Sequence, residues 1–141
     1  MLNFEYLEDR EFFANLLADG DIEKLESVFA DYFDFEHPAI KREAYNKIRK
    51  QVLAELIEKY GEVCQLQLHP DCNVAEGLQV DHIIPLSSNE LNKQLRHMER
   101  TGSEKVVRQS FGSNHRKNLT LACKRCNAYK KHKFYLPHAG M

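Results

Sequence analysis

Four cysteines in two clusters carry the clearest metal-binding chemistry in this sequence. Cys123 and Cys126 have two residues between them, a spacing that lets both thiolates reach one tetrahedral ion at about 2.3 Å. The two intervening residues are basic and favour thiolate over thiol. Cys64 and Cys72 have seven residues between them, a looser pair that can still close on the same ion. The four cysteines therefore predict one structural zinc site that compensates for a small core.

Disulfides and four unliganded core cysteines are the alternatives to zinc. No apolar run approaches the roughly 18 residues that span a bilayer, and acidic residues precede any basic one at the start of the chain. We therefore expect a cytoplasmic protein, and that compartment keeps thiols reduced. His69, between the looser cysteines, is an alternative ligand.

Asp81-His82 is the second place where chemistry is expected, because both residues lie at the end of an otherwise apolar segment, residues 78–84. A carboxylate offers hard oxygen to Mg²⁺, and a histidine near neutral pH can take a proton from water. Neighbouring side chains of a strand point to opposite faces, so the chain must bend to aim both at one site. The alternative is a half-exposed strand end with a surface histidine.

Three helices are predicted in the first sixty residues. Apolar residues of the first seventeen positions fall near helical spacing. Asp21 is placed to cap a second helix, with apolar residues on one side as far as residue 33, and Pro38 suits the first turn of a third. The buried face of the third helix is predicted from apolar residues that recur every four positions: Ile40, Ala44, Ile48 and Val52.

Residues 62–141 are expected to add a strand, an insertion, a second strand and a helix. The first strand is predicted over residues 78–84, a short helix over residues 89–100, and the second strand over residues 119–121. A last helix is predicted from about Lys124 to Phe134. The expected fold class is α+β, with a helical segment over residues 1–61 and the chemistry in residues 62–141.

Charge divides the chain more sharply than its net value of −1 suggests. Residues 1–37 carry a net charge of −9, and residues 62–141 carry +5. The basic part suits a polyanion, which the acidic part would repel. The N-terminal helices either cap the rest of the chain or form a docking surface for a partner subunit or a second copy. With 43% apolar and 29% charged residues, the 141-residue chain is globular rather than mostly disordered.

Two segments, interleaved with the cysteine pairs, carry a resemblance. They read VDHIIPLS from residue 80 and NLTLACKRCNAYKK from residue 118. In this order they resemble the HNH endonuclease family, in its zinc-stapled form with asparagine at the third motif position. The resemblance covers roughly residues 62–134 and implies a ββα-metal fold, in which a bent pair of strands packs against a helix with a catalytic ion between them.

The resemblance also implies a role for each motif residue. His82 matches the general base that activates water against a phosphodiester. Asp81 and Asn127 match the protein ligands of a catalytic Mg²⁺ or similar ion, and Asn118 matches the residue that braces the loop and orients the histidine. The structural zinc would be held by Cys64, Cys72, Cys123 and Cys126, next to Asn127.

The last helix is strongly basic, and beside a nuclease site its cations favour phosphate contacts. The residues expected to bind DNA are Lys124, Arg125, Lys130, Lys131 and Lys133. Residues 87–113 are an insertion relative to a minimal motif, which either helps to grip DNA or is a helical elaboration. His115 is either a surface residue or a contact near the site.

The sequence therefore predicts a metal-dependent endonuclease that hydrolyses DNA, associated with restriction, defence or mobile elements. One active site cuts one strand, so a double-strand break would need a dimer or successive nicks. The alternatives are a nuclease subunit of a larger defence complex and a non-catalytic zinc-knuckle module that binds nucleic acid. The expected partners are DNA and, through the N-terminal helices, a second copy or a larger assembly, with no membrane.

Overall fold

Helices and a small sheet make up the described part of the chain. The computed structural model describes residues 2, 4, 7–17, 20–67, 72, 77–86 and 110–130, without the side chains of Glu8 and Tyr129. The elements are α1 (Leu7–Asn15), α2 (Ile22–Val28), α3 (Pro38–Tyr60), β1 (Gln79–His82), β2 (Leu119–Ala122) and α4 (Lys124–Lys130). The two strands pair antiparallel, and this mixture is compatible with the predicted α+β class.

Several sequence predictions fall outside the described residues. These are the helix over residues 89–100, most of the insertion, and the last helix beyond Lys130. In the described ranges, no helix combines the length and the apolar character that crossing a membrane requires.

The helix α3 begins where the sequence predicted, with Pro38 in its first turn and His37 as its N-cap, whose Nδ1 accepts a hydrogen bond from the Ala39 N–H at 3.1 Å. Its predicted buried face is wrong at the N-terminal end. Ile40 is 56% exposed and Ala44 is also exposed. Farther along, Val52 and Leu56 are buried as the pattern predicted.

Lys41 takes the buried position at the start of α3, with only 3% of its surface exposed. Its ammonium donates to the backbone carbonyls of Asp34, at 2.5 Å, and Gly112, at 2.6 Å. Burial lowers its pKa from 10.5 to about 8, against the opposing effect of Asp34 and Glu36. The sequence pattern missed this position because a lysine can be buried only where its hydrogen-bond partners are supplied from elsewhere.

The second helix is shorter than predicted. It ends at Val28, which is exposed, and a 3-10 turn over Ala30–Tyr32 follows. Phe33 then forms an isolated antiparallel bridge with Gly112. Because the chain leaves the helix at Phe29, the aromatic residues that follow can pack in or against the phenylalanine-rich core.

A phenylalanine-rich cluster joins the two halves of the chain. The Phe13 and Phe111 rings lie 5.1 Å apart, edge to face. The buried members are Phe13, Ala14, Leu17, Leu25, Phe29, Phe33, Ile84 and Phe111. Because Ile84 and Phe111 follow the predicted boundary at residue 61, this core supports the alternative in which the N-terminal helices pack on the rest of the chain.

The strand pair has two ends with different surroundings. At the cysteine end, Gln79 lies opposite Ala122, next to Cys123; at the histidine end, His82 lies opposite Leu119, next to Asn118. α3 packs on both strands through a cluster of Val52, Leu56, Leu119 and Leu121, and α4 contacts both strands. Both ends of the pair are thus held against helices.

Candidate metal centre and active-site cleft

Three cysteines meet at the cysteine end. The Sγ atoms of Cys64, Cys72 and Cys126 all lie within 4.8 Å of one another, and the three residues are buried. This group could hold a metal ion. Cys123, the fourth predicted ligand, is buried but lies outside that group, and its sulfur accepts the Cys126 N–H at 3.3 Å.

Cys64 has the surroundings of a thiolate. Burial would raise its pKa, but backbone N–H groups of Cys123, Gln67 and Leu66 donate to the sulfur and, together with the Cys126 side chain, lower the pKa below its ordinary value. Gln67 has φ of 47°, so the chain turns back on the cysteine immediately after it. The turn that surrounds Cys64 is complete by residue 67.

A cleft of about 440 Å³ lies at the histidine end. It is lined by the three residues expected to do chemistry, Asp81, His82 and Asn127. β1 ends at His82 and the chain bends at Ile83 and Ile84, so consecutive side chains reach one cleft. The bend that the sequence required is therefore present.

Asn118 is fully buried and fixes this bend. Its side-chain Nδ2 donates to the carbonyls of Ile84, at 3.0 Å, and Ser113, at 2.8 Å, while its Oδ1 accepts the Ile84 N–H at 2.8 Å. Its backbone carbonyl accepts the Ile83 N–H at 2.8 Å. Both residues that follow His82 are thus anchored to one asparagine.

His82 contacts two residues that the sequence did not single out. Its Nε2 lies 2.9 Å from Oδ1 of Asn114. The Tyr45 ring packs against the imidazole in an edge-to-face arrangement, with 4.7 Å between the ring centroids. Burial lowers the pKa of His82, with smaller contributions from the charges of Lys130 and Lys41, and the Asn114 hydrogen bond opposes them. The neutral imidazole, which can accept a proton, is therefore favoured.

Asp81 forms a buried ion pair with Lys130. The lysine Nζ lies 3.1 Å from Oδ2 and 3.3 Å from Oδ1, and it donates to the His82 carbonyl at 2.9 Å. Burial raises the pKa of the Asp81 carboxyl, and Lys130 opposes that shift. Oδ2 is buried and lacks a hydrogen bond of good geometry within the described part of the chain, and the Lys130 ammonium lies beside it, so a metal ion at this oxygen would have to displace the lysine.

The prediction that basic residues of α4 bind DNA is wrong for Lys130. It is 4% exposed and committed to Asp81, so its ammonium is not offered to a phosphate. Lys124 and Arg125 are exposed on α4 as expected. Lys131 and Lys133 lie outside the described residues.

Asn127 follows Cys126 in α4, so the helix that contributes a cysteine to the metal group also brings this amide to the cleft. Its Nδ2 donates to Oε1 of Gln79 at 2.7 Å, across to β1. In that arrangement its Oδ1 is the atom left for a ligand. Asn127 and Asp81 together can present one amide oxygen and one carboxylate oxygen.

The sequence missed the residues that surround His82 from outside the motifs. Tyr45 and Arg42 come from α3, and Asn114 comes from the loop before β2. The polar run before β2 was the available signal for Asn114, but it pointed equally to His115. His115 is half exposed, and its Nδ1 accepts the Lys117 N–H in a local turn. The surface alternative for His115 is thus supported.

Compared with known proteins, the chain matches no protein-family model, no curated protein and no solved structure.

Proposed function

We propose that this chain is a metal-dependent endonuclease of the HNH type that hydrolyses DNA phosphodiester bonds. The observation that carries the proposal is one cleft lined by Asp81, His82 and Asn127, at the end of a strand pair against which α4 packs. β1, β2 and α4 would be the ββα-metal core. A nucleic-acid-binding module needs no neutral histidine beside a carboxylate, whereas metal-dependent hydrolysis of a phosphodiester can use the histidine as the base and the carboxylate as a metal ligand.

The structural ion would be zinc at the cysteine end. Cys64, Cys72 and Cys126 supply three thiol groups within reach of one ion, and Cys123 is the fourth sulfur of the same buried cluster. Four sulfur ligands fit tetrahedral zinc, and N–H groups donated to sulfur suit thiolates. Such an ion would fix the start of α4 and hence the position of Asn127.

The donor set at the histidine end fits Mg²⁺ or a similar ion. The Asp81 carboxylate and the Asn127 amide oxygen are hard ligands, and both residues line the open cleft, where a bound ion would replace the Lys130 ammonium beside Asp81. A bound ion would supply positive charge next to the phosphate oxygens. His82 would take the proton of the attacking water, Asn118 would hold the bend that aims it, and Tyr45 would limit rotation of its ring.

The cations of α3 support a nucleic-acid substrate. Arg42 lines the cleft, and Arg49 and Lys50 line a groove beside it that shares Tyr45 and Val80. The structure shows no ion pair for these three side chains within its described ranges, whereas Arg116 on another face is paired with Glu55 at 3.0 Å. Unpaired cations beside a cleft suit the phosphate backbone, and they make binding salt-dependent.

One observation favours the non-catalytic alternative. Lys130 already neutralises Asp81, the carboxylate that a catalytic ion would need. In that alternative, the cysteine site and the α3 cations would bind nucleic acid and nothing would be cut. A plasmid-cleavage experiment decides between the two functions. Measurement of the native mass would show whether the chain acts alone, as a dimer or within a larger defence complex.

The test is cleavage of supercoiled plasmid in Mg²⁺ by the wild-type chain, by His82→Ala and by His115→Ala as the matched control. We expect His82→Ala to retain zinc and DNA binding and to lose about 10²- to 10⁴-fold in rate. His115→Ala should cut normally, and EDTA should stop all cutting. Cutting that survives EDTA or His82→Ala would refute the mechanism, and salt-dependent binding without any cutting would establish the binding module.

A further inference from the structure

Asn114 connects α3 to His82 through both ends of its amide. The Nδ2 group lies 2.8 Å from the backbone carbonyl of Lys41, and Oδ1 lies 2.9 Å from Nε2 of His82. A backbone carbonyl can only accept, so the amide nitrogen must face Lys41 and the amide oxygen must face the imidazole. The orientation of the amide is thus determined by a helix outside the HNH-like motifs.

An amide oxygen can only accept as well, so Nε2 of His82 must carry the hydrogen. In a neutral imidazole the lone pair is then on Nδ1. No hydrogen bond engages Nδ1 in the described part of the chain, and His82 lines the cleft. We propose that Asn114 is a positioning residue that holds His82 as the Nε2–H tautomer, leaving Nδ1 to accept a proton from water. This inference rests on the proposed nuclease function for the identity of the proton donor.

The proton balance is simple. An O–H bond of water breaks as an N–H bond forms at Nδ1, and the resulting hydroxide oxygen attacks phosphorus while the P–O bond to the leaving strand breaks. The leaving oxygen then takes a proton from solvent, and the imidazolium later returns its Nδ1 proton to solvent. The imidazolium keeps its Nε2–H and continues to donate it to Asn114, so the amide need not turn during the step. Asn114 therefore suits both protonation states of the base.

The start of α3 is rigid enough to serve as the anchor. Lys41 is buried, and its ammonium is bonded to the carbonyls of Asp34 and Gly112. The same residue thus fixes the helix with its side chain and Asn114 with its backbone.

Nitrogen-15 NMR of the intact, zinc-loaded protein tests the assignment without any need for cleavage. His37 and His115 are internal references, because each accepts a backbone N–H at Nδ1 and must carry its hydrogen on Nε2 when neutral. The His82 signals are identified by their loss in His82→Ala. We expect neutral His82 to match the references and its Nε2–H proton to exchange slowly with water.

Variants of Asn114 sharpen the test. Asn114→Ala should lose the protected Nε2–H proton and reduce kcat about tenfold with KM unchanged, the effect of one lost hydrogen bond. Asn114→Asp retains an acceptor and should retain the protected proton. Asn46→Ala, an exposed asparagine on the same cleft, should leave the His82 signals unchanged.

Different results separate this inference from the proposed function. A wild-type His82 with its hydrogen on Nδ1, or an Asn114→Ala protein that keeps the protected proton, would overturn the role of Asn114. That wild-type spectrum decides even if Asn114→Ala fails to fold. The expected spectra in a protein that cuts no nucleic acid would uphold the Asn114 hydrogen bond and refute the nuclease.

Discussion

The two ends of the β1–β2 pair are surrounded by different chemical groups. At the cysteine end, three sulfur atoms converge, and the partly buried Leu66 and Leu78 pack around the cysteines. At the histidine end, buried polar groups converge on an open cleft, with Asn118 and Asn114 supplying the hydrogen bonds. One end can be fastened by an ion, and the other is fastened by amide and carbonyl groups.

The two ends of this four-residue strand pair therefore differ in their expected contributions, one to stability and the other to chemistry. A buried group of soft ligands leaves no room for substrate, so the cysteine end is suited to holding α4 in place. A cleft must stay open to substrate, so its shape depends on hydrogen bonds between the protein groups around it. We therefore expect substitutions at the cysteine end to cost folding and substitutions of cleft side chains to cost activity.

The largest effect is expected from Cys126→Ala. Structural zinc contributes an apparent free energy of about 10 kcal/mol or more, which exceeds the net stability of most domains of this size. The variant should lose both its zinc and its cooperative thermal unfolding transition, measured by elemental analysis and circular dichroism. His82→Ala is the control at the opposite end and should keep about one zinc per chain. A folded Cys126→Ala protein, or a wild-type chain without zinc, would contradict the contrast between the ends.

Two glycines provide a second comparison. A methyl group at Gly112 would collide with the backbone oxygens of Ile84 and Pro85, in the loop that follows His82. Gly112→Ala should therefore lower the free energy of unfolding by about 3 kcal/mol. At Gly77, near the cysteine end, a methyl group would meet only ordinary contacts, although φ is +74°. Gly77→Ala should cost about 1 kcal/mol from backbone strain alone.

Urea denaturation of both glycine variants gives these values directly. Equal losses at the two positions would show that the backbone approach at Gly112 is not a strict requirement. A larger loss at Gly77 would reverse the comparison and place the tighter packing at the cysteine end.

A pH dependence of stability is expected at the histidine end. Lys41 has a pKa of about 8 in the folded chain, against an ordinary value of 10.5. Between these values the unfolded chain binds more protons, so the stability of the wild type should rise with pH relative to Lys41→Met. Below pH 8 the lysine is charged in both states and the difference should be constant. Urea denaturation of both proteins at pH 7 and pH 10 measures it, and a difference that stays flat or falls would refute the shift.

The sequence was informative where local chemistry decides the outcome. The start of α3 at Pro38 followed from the fixed φ of proline, and the strand at residues 79–82 and the helix after Cys123 fell inside the predicted ranges. Three of the four predicted zinc ligands form one buried group that could hold a metal ion. Asp81, His82 and Asn127 line one cleft, while their roles remain a proposal.

The sequence was least informative where burial depends on a distant segment. The apolar period of α3 placed Ile40 and Ala44 inside, yet Lys41 is the buried residue because the Asp34 and Gly112 carbonyls receive its ammonium. The basic character of α4 placed Lys130 on the surface, yet Asp81 holds it in the interior. In each case a charged group was buried by partners that periodicity cannot reveal.

Residue types and their order thus determined which atoms of this protein can ligate a metal or take a proton, since thiols, carboxylates, amides and imidazoles carry that chemistry wherever they lie. Only the tertiary structure decided which of them share a site and which nitrogen of His82 contacts Asn114. The reason is that Lys41 and Tyr45 of α3 precede His82 by some forty residues, yet the Lys41 carbonyl accepts a hydrogen bond from Asn114 and the Tyr45 ring packs on the histidine. Such contacts arise from chain packing, and no local spacing in the sequence encodes them.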